Sequence, residues 1–282
     1  MHPDADRLID MALREDAAYN DITSRSIFSL GQTSTAQIIA RADQVLCGLN
    51  VARRVITRFD SSNYVTLTAK DGDRVSSGTI VLQAEGPTIS LLGAERTALN
   101  FLQHLSGIAT LANRYAEAAR KIGTGVRIVD TRKTTPGWRT LEKYAVRCGG
   151  CFNHRSSLGE HVLIKENHIA AAGSLQKAVQ LTRAFAPHTA KIEVEAESLV
   201  EAGQAVDCGA DVILLDNMPP DLIRECVALI GGKAIVEVSG GVHLDNLAEY
   251  ALPGVDVISI GALTHSAPAG NFSMILGDRP GA

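Results

Sequence analysis

Between residues 127 and 168 the chain carries Arg127, Arg132, Lys133, Arg139, Lys143, Arg147, Arg155 and Lys165, with His154, His161 and His168 among them. Only Asp130, Glu142, Glu160 and Glu166 oppose them. A run of charge is ordinarily a solvated face that contributes little. Here the cations alternate with turn residues, Thr134-Thr135-Pro136-Gly137 and Gly149-Gly150, and with short apolar runs that read as strands. Guanidinium groups held in that way suit two-pronged capture of carboxylate or phosphate. The segment is therefore expected to bind anions.

Further along, Ser239-Gly240-Gly241 follows an apolar run and precedes a helix opening near His243. Small residues let backbone N–H groups approach a phosphate, and a helix N-terminus favours negative charge. Gly261-Ala262, after the next run, is a companion turn. Glu195 and Asp216 also end apolar runs. They could hold Mg²⁺ with water and substrate phosphates in the remaining positions, or accept hydrogen bonds from ribose hydroxyls. Lys165 admits a different chemistry, that of a Schiff-base nucleophile in a lyase, if its charge is suppressed by burial or by its cationic neighbours. His154, His161 and His168 recur every seven residues, but a strand between them prevents a single ridge of metal ligands, and His154 beside Arg155 reads better as an anion contact. Cys148-Gly-Gly-Cys151 has the spacing of redox and zinc sites. No second pair completes a metal set, so both are expected to be structural thiols.

These residues need a frame that brings them together. Val- and Ile-rich runs recur at Val126–Val129, Val162–Ile164, Ile192–Val194, Val212–Leu215, Ala234–Val238 and Val257–Ile260, with helical spacing at Ser174–Phe185, Ser198–Cys208, Pro220–Ile230 and Leu244–Tyr250. Strand alternating with helix implies parallel βαβ units. The residues closing the runs are Asp130, Lys165, Glu195, Asp216, Ser239 and Gly261, and from Lys165 onward they lie 30, 21, 23 and 22 residues apart. In a β/α barrel such residues share the rim where active sites are built. An open doubly wound sheet has the same alternation. The barrel is favoured because chemistry-bearing residues close nearly every run and no Gly-x-Gly-x-x-Gly turn follows the first.

Upstream, residues up to about 25 read as an amphipathic helix, and Ser34–Ser90 as short strands with a helix over Asn50–Phe59. Glu95–Lys121 reads as one long helix, apolar around more than half its circumference, with Gly107 as its weak point. A helix of that kind is expected to bridge domains or subunits. With 282 residues, 45 % of them apolar, the chain can build two cores. Its net charge of −4 gives no overall basic field for nucleic acid or an anionic membrane. No run reaches the roughly 18 apolar residues of a membrane span, and the N-terminal residues lack the apolar core of a signal peptide. Five cysteines, an odd number, fit a reducing compartment and a cytoplasmic location.

The chain resembles the quinolinate phosphoribosyltransferases in Glu95-Arg96-Thr97-Ala98-Leu99-Asn100-Phe101-Leu102, Asp130-Thr131-Arg132-Lys133-Thr134-Thr135-Pro136-Gly137, Asn153-His154-Arg155, Leu163-Ile164-Lys165-Glu166-Asn167-His168, Lys191-Ile192-Glu193-Val194-Glu195, Leu215-Asp216-Asn217, Ser239-Gly240-Gly241 and Ser259-Ile260-Gly261-Ala262-Leu263-Thr264-His265. The resemblance implies an N-terminal α/β sandwich domain over 1–110 and an incomplete, TIM-like β/α barrel over 111–282, with room for a short C-terminal return toward the first domain. It implies transfer of phosphoribose from phosphoribosyl pyrophosphate to quinolinate, with decarboxylation, giving nicotinate mononucleotide for NAD biosynthesis. Arg132, His154, Arg155 and Lys165 would bind the two quinolinate carboxylates, and Arg96 would arrive from the partner of a homodimer, which could associate further. Lys133 would lie near the reacting groups. Glu195 and Asp216 would serve the ribose and Mg²⁺, while Ser239, Gly240, Gly241, Gly261 and Ala262 would hold the 5′-phosphate. Thr131 and Ile260 join the substrate-binding set, and Lys133, Lys165, Glu195 and Asp216 form the catalytic one.

Two departures stand out, Cys151 where the family usually has Gly and Trp138 where it usually has an aliphatic residue. The first could shift His154 and Arg155. Three other readings compete: a molybdenum-transport-associated relative acting on another base, the lyase centred on Lys165, and a non-catalytic anion-binding barrel.

Overall fold

The structure, a computed structural model, describes residues 3–277. The described residues gather into two compact units, the first formed by 3–113, 134–150 and 263–277 and the second by 114–133 and 151–262. The boundary read near 110 lies at 113/114, the residues from 263 make the C-terminal return, and 134–150 makes a second return that the sequence reading did not contain.

In the first unit, α1 (Pro3–Glu15) buries Ala5, Ile9 and Leu13. Their four-residue spacing makes one stripe. Burial of side chains of the Leu or Ile class is worth about 1.5–3 kcal/mol each. The polar side of the helix meets α3 (Leu49–Phe59), where Arg54 Nε lies 3.0 Å from Asp6 Oδ1 and Arg58 pairs with Asp10. The expected single N-terminal helix stops at Glu15, and α2 (Ile22–Ile27) follows with Asp21 as its cap, accepting the Ser24 N–H.

The unit's main sheet is antiparallel. It is built from β1 (Thr33–Ala40), β3 (Tyr64–Leu67), β5 (Ile80–Pro87) and β12 (Phe272–Leu276) in the order β12-β1-β5-β3. The pairing of β12 with β1 is the C-terminal return. Two short strands, β2 (Gln44–Val45) and β4 (Arg74–Val75), pair separately.

The long helix α4 spans Thr88–Ile122, opening earlier than its apolar pattern suggests because Thr88-Ile89-Ser90 looks like strand sequence. It buries residues around much of its circumference, among them Leu91, Leu99, Phe101, Leu102, Leu105 and Ile108. Gly107 sits unbroken within it. A Cβ there would meet the Pro268 carbonyl oxygen at 2.0 Å, so the glycine admits the returning chain rather than weakening the helix. A further helix, α5 (Arg139–Cys148), lies inside the cationic segment. Its buried Leu141, Ala145 and Val146 are hidden in sequence among the charges.

The second unit is a parallel β/α assembly. Its strands are β6 (Arg127–Val129), β7 (Val162–Ile164), β8 (Ile192–Ala196), β9 (Val212–Asp216), β10 (Ile235–Ser239) and β11 (Val257–Ser259). They are ordered β6-β11-β10-β9-β8-β7. No ladder joins β6 to β7 among the described residues; β6 instead makes one bridge, Val129 to Phe152. This is an incomplete barrel. Helices α6 (Glu166–Ala172) and α7 (Leu175–Phe185) follow β7, α8 (Leu199–Asp207), α9 (Pro220–Ile230) and α10 (Leu247–Tyr250) follow β8, β9 and β10, and at α11 (Ala262–His265), after β11, the chain passes back to the first unit. Ser174 and Ser198 cap α7 and α8, which fixes where each βα loop ends. No helix among the described residues is long and apolar enough to cross a membrane.

Candidate active site

Because the strands are parallel, all their C-terminal ends face one way. Asp216 pairs in register with Ser239, and Ser239 with Ser259. Lys165 follows β7, Glu195 lies near the end of β8, Ile260 and Gly261 follow β11, and Asp130 follows β6. One rim of the second unit thus carries Thr131, Arg132, Lys133, Lys165, Glu195, Asp216, Ser239, Gly240, Gly241, Ile260, Gly261 and Ala262. Arg96 stands exposed on α4 in the first unit.

On this rim Lys165 is ion-paired with Glu195. Its backbone N–H donates to His168 Nδ1 at 2.9 Å, so His168 caps α6 and takes no part in a histidine cluster. Carboxylate oxygens of Glu195, Glu197 and Asp216 lie within 4.8 Å of one another. Asn217 donates from Nδ2 to Asp216 Oδ2 at 2.7 Å and from its backbone N–H to the Ser239 carbonyl at 2.9 Å. The Ser239-Gly240-Gly241 turn is tight. Gly240 has φ 91°, and a Cβ there would stand 2.1 Å from Asn217 Oδ1. The turn is closed by Asn246, whose Nδ2 donates to the Gly241 carbonyl at 3.0 Å.

Deeper in the unit is a group that strand-end reasoning missed. Side chains alternate along a strand, so in Ile192-Glu193-Val194-Glu195 both glutamates project from one face while Ile192 and Val194 take the other. The same holds for Glu237 and Ser239 in β10. Glu193 and Glu237 are buried, at 2 % and 4 % exposure. Two strands apart, they converge on His154, whose Nε2 lies 3.3 Å from Glu193 Oε2 and 3.4 Å from Glu237 Oε1. The signal was available: a carboxylate set mid-run between β-branched residues has to be buried.

His154 is bonded on every side. Its backbone N–H donates to Asp130 Oδ1 at 3.0 Å, and its Nδ1 accepts the Arg155 N–H at 2.8 Å. Burial alone would lower the ring's proton affinity, whereas the carboxylates of Glu193 and Glu237 favour a proton on the Nε2 that faces them. A second ring proton would have to sit on Nδ1. Two N–H groups cannot meet at 2.8 Å, so in this geometry the ring carries one proton, on Nε2. His161, 5.3 Å from His154 between ring centroids, is held low by burial and then by His154 and Arg155. Burial raises Glu193. Arg155 is buried too, donates from Nη1 to the His161 carbonyl at 3.0 Å, and is held down by burial and by Arg132. Glu193 Oε1 accepts no hydrogen bond, and Glu237 Oε1 has only the 3.4 Å contact with His154. An unsatisfied buried polar atom costs about 1–3 kcal/mol, so this pair is not explained by stability.

The Quinolinate phosphoribosyl transferase, N-terminal domain model matches residues 21–106 and the corresponding C-terminal domain model matches residues 108–275. The chain belongs to the quinolinate phosphoribosyl transferase family. It is 40% identical to the probable nicotinate-nucleotide pyrophosphorylase (carboxylating) of Bacillus subtilis over 97% of this chain and 93% of that one. It is also 40% identical to the human nicotinate-nucleotide pyrophosphorylase (carboxylating), over 95% and 90%. The solved nicotinate-nucleotide pyrophosphorylase from Francisella tularensis superposes with a TM-score of 0.92 at 38% identity, covering 98% of each chain.

Cys151 is buried, and burial pushes its thiol up to about 12. Trp138 stacks on Phe101 with ring centroids 4.6 Å apart and meets His104 edge-on at 5.0 Å, all within the first unit. All five cysteines are free thiols.

Proposed function

We infer that the chain transfers phosphoribose from phosphoribosyl pyrophosphate to the ring nitrogen of quinolinate, releasing pyrophosphate and CO₂ and giving nicotinate mononucleotide for NAD biosynthesis. The observation that carries this reading is a rim on which Arg132 and Lys165 stand with the Glu195/Asp216 carboxylates and the Ser239-Gly240-Gly241 turn, Arg155 lying deeper in the same unit, in a chain that the family's two domain models match between residues 21 and 275.

Quinolinate is a dianion, and Arg132, Arg155 and Lys165 are the cations to pair with its two carboxylates. Small residues in the two late turns, with Ile260, suit a 5′-phosphate held by backbone N–H groups. The bond from C1′ to pyrophosphate breaks as the pyridine nitrogen attacks. That step needs alignment and charge balance rather than a protein nucleophile. Lys133, on the loop after β6, and Lys165 supply positive charge there. Once the ring nitrogen is ribosylated, loss of the adjacent carboxylate as CO₂ leaves an electron pair on carbon that the cationic ring stabilises and a proton then quenches.

Mg²⁺ suits the hard oxygen donors of Glu195, Glu197 and Asp216. Glu195 and Asp216 would hold it, with the ribose hydroxyls nearby, and it would supply charge compensation for the pyrophosphate. Arg96, exposed on α4, would complete the quinolinate site of a second subunit in a homodimer, with association beyond the dimer left open. A cytoplasmic site of action fits the five free thiols.

Incubation of the protein with quinolinate, phosphoribosyl pyrophosphate and Mg²⁺ is expected to yield nicotinate mononucleotide, and substitution of nicotinate for quinolinate is expected to yield none. Equal turnover of nicotinate would overturn the assignment of the base. Mixing inactive Arg96→Ala and Lys165→Ala proteins is expected to restore about a quarter of the sites, because each mixed dimer contains one intact site; no restoration would refute the shared site.

A further inference from the structure

The cationic rim explains what meets the substrate but not why two carboxylates are buried beneath it. Both carboxylates meet His154, and Glu193 also faces His161 and the charge of Arg155. We propose that Glu193 and Glu237 are positioning residues of the quinolinate pocket, acting through the His154 ring to hold the backbone of Arg155 in place.

The chain of contacts is continuous. Glu193 and Glu237 bracket His154 Nε2 from β8 and β10, at 3.3 Å and 3.4 Å. With the ring proton drawn to Nε2, Nδ1 is left as an acceptor and receives the Arg155 N–H at 2.8 Å. Asp130 fixes the same turn from β6 by accepting the His154 N–H, and Asn153 Nδ2 bonds to its other oxygen. The Arg155 guanidinium is tied to the His161 carbonyl. Arg155 is thus anchored at both ends, one anchor depending on which nitrogen of His154 carries the proton. A second ring nitrogen lies nearby, His161 Nε2, 3.9 Å from Glu193 Oε2.

Proximity alone would let His154, His161 and Glu193 hold a metal ion. A metal at His154 Nε2 would need the ring proton on Nδ1, where the Arg155 N–H already points. The observed bonding favours a proton on Nε2 over an ion. His154 therefore meets the substrate as part of the pocket floor, with both nitrogens engaged, and the carboxylate-binding work falls to Arg155.

The inference rests on the reading of this rim as the quinolinate pocket, so its test has an arm that does not need turnover. In wild-type protein carrying ¹⁵N-labelled histidine, His154, assigned by loss of its signals in His154→Gln, is expected to show a protonated Nε2 and an unprotonated Nδ1 at neutral pH. Glu193→Leu and Glu237→Leu are expected to abolish that preference and to raise KM for quinolinate at least tenfold, since a displacement of about 1 Å at a reacting centre can cost on the order of a hundredfold. KM for phosphoribosyl pyrophosphate is expected to stay within about threefold. The Gln variants, whose amide oxygen still accepts from Nε2, are expected to stay near wild type. The opposite tautomer in wild type, or folded Leu variants with unchanged His154 signals and unchanged KM for quinolinate, would overturn the proposal. If the Leu variants do not fold, the wild-type tautomer and the Gln variants still decide it. Absence of turnover by the wild type would count against the proposed function, and the tautomer would still decide this inference.

Discussion

Substituting alanine at two adjacent glycines separates the roles of shape and strain in the phosphate turn. Gly240 and Gly241 both have positive φ, 91° and 66°, so an alanine at either is strained by about 1–2 kcal/mol. Their surroundings differ. A Cβ on Gly241 meets nothing within 4 Å, whereas one on Gly240 meets Asn217 Oδ1 at 2.1 Å and the Asn217 backbone nitrogen at 2.9 Å. Asn217 cannot simply retreat, because its own φ is 54° and it is bonded to Asp216 and to the Ser239 carbonyl. Overpacking of this kind adds about 1–3 kcal/mol. Gly240→Ala is therefore expected to cost about 2–5 kcal/mol and Gly241→Ala about 1–2 kcal/mol. At roughly 2–4 °C per kcal/mol for a chain of this size, Tm falls by about 5–15 °C in the first variant and by only a few degrees in the second. Steady-state kinetics should show KM for phosphoribosyl pyrophosphate raised at least tenfold by Gly240→Ala, with KM for quinolinate within about threefold. Equal losses of Tm at the two glycines, or an equal rise in both KM values, would refute the reasoning.

Glu142 is fully buried in the first unit, with Oε1 2.8 Å from His104 Nε2 and Oε2 accepting the Thr135 N–H at 3.1 Å. Its removal in Glu142→Ala is expected to cost about 2–3 kcal/mol, below the full value for a buried pair because His104 is partly exposed; urea unfolding followed by the fluorescence of Trp138 measures it, and a loss under about 0.5 kcal/mol would contradict the geometry. Hydrogen bonds from Arg54 and Arg58 hold the Asp6 and Asp10 carboxyls below the ordinary aspartate value. Their contribution is therefore fully present above that ordinary value and lost as pH falls through the lower, folded values. Hydrogen exchange in α1 is expected to accelerate in that acid window, less so in Asp10→Asn and at high salt; an acceleration only near neutral pH would refute it. Lys165 is ion-paired with Glu195, and a nucleophilic amine must be uncharged. Borohydride with a carbonyl substrate is expected to trap no adduct, and a reduced adduct at Lys165 would revive the lyase reading.

Much of the second unit was legible because its strands are apolar runs ended by polar residues, a pattern that marks both the element and the rim. Lys165, Glu195, Asp216 and Ser239 all lie at strand ends for that reason. The same rule hid Glu193 and Glu237. They sit one pleat below the rim, and only the alternation of side chains shows that they share a face with Glu195 and Ser239. The convergence of β8 and β10 on one histidine is a matter of sheet curvature, which periodicity does not contain. Likewise α5 was unreadable amid charge, since its stripe is short and two of its buried positions, Glu142 and Lys143, are themselves charged. The pairing of β12 with β1 joins residues more than 230 positions apart, and only the resemblance to the family hinted at it.

If this rim catalyses the whole reaction, both leaving groups must appear together. With carboxyl-labelled [¹⁴C]quinolinate, phosphoribosyl pyrophosphate and Mg²⁺, pyrophosphate and ¹⁴CO₂ are expected in equal amounts from the wild-type protein, and Arg132→Ala is expected to lose both by at least a hundredfold. Pyrophosphate without ¹⁴CO₂, or undiminished release of both by Arg132→Ala, would contradict the account.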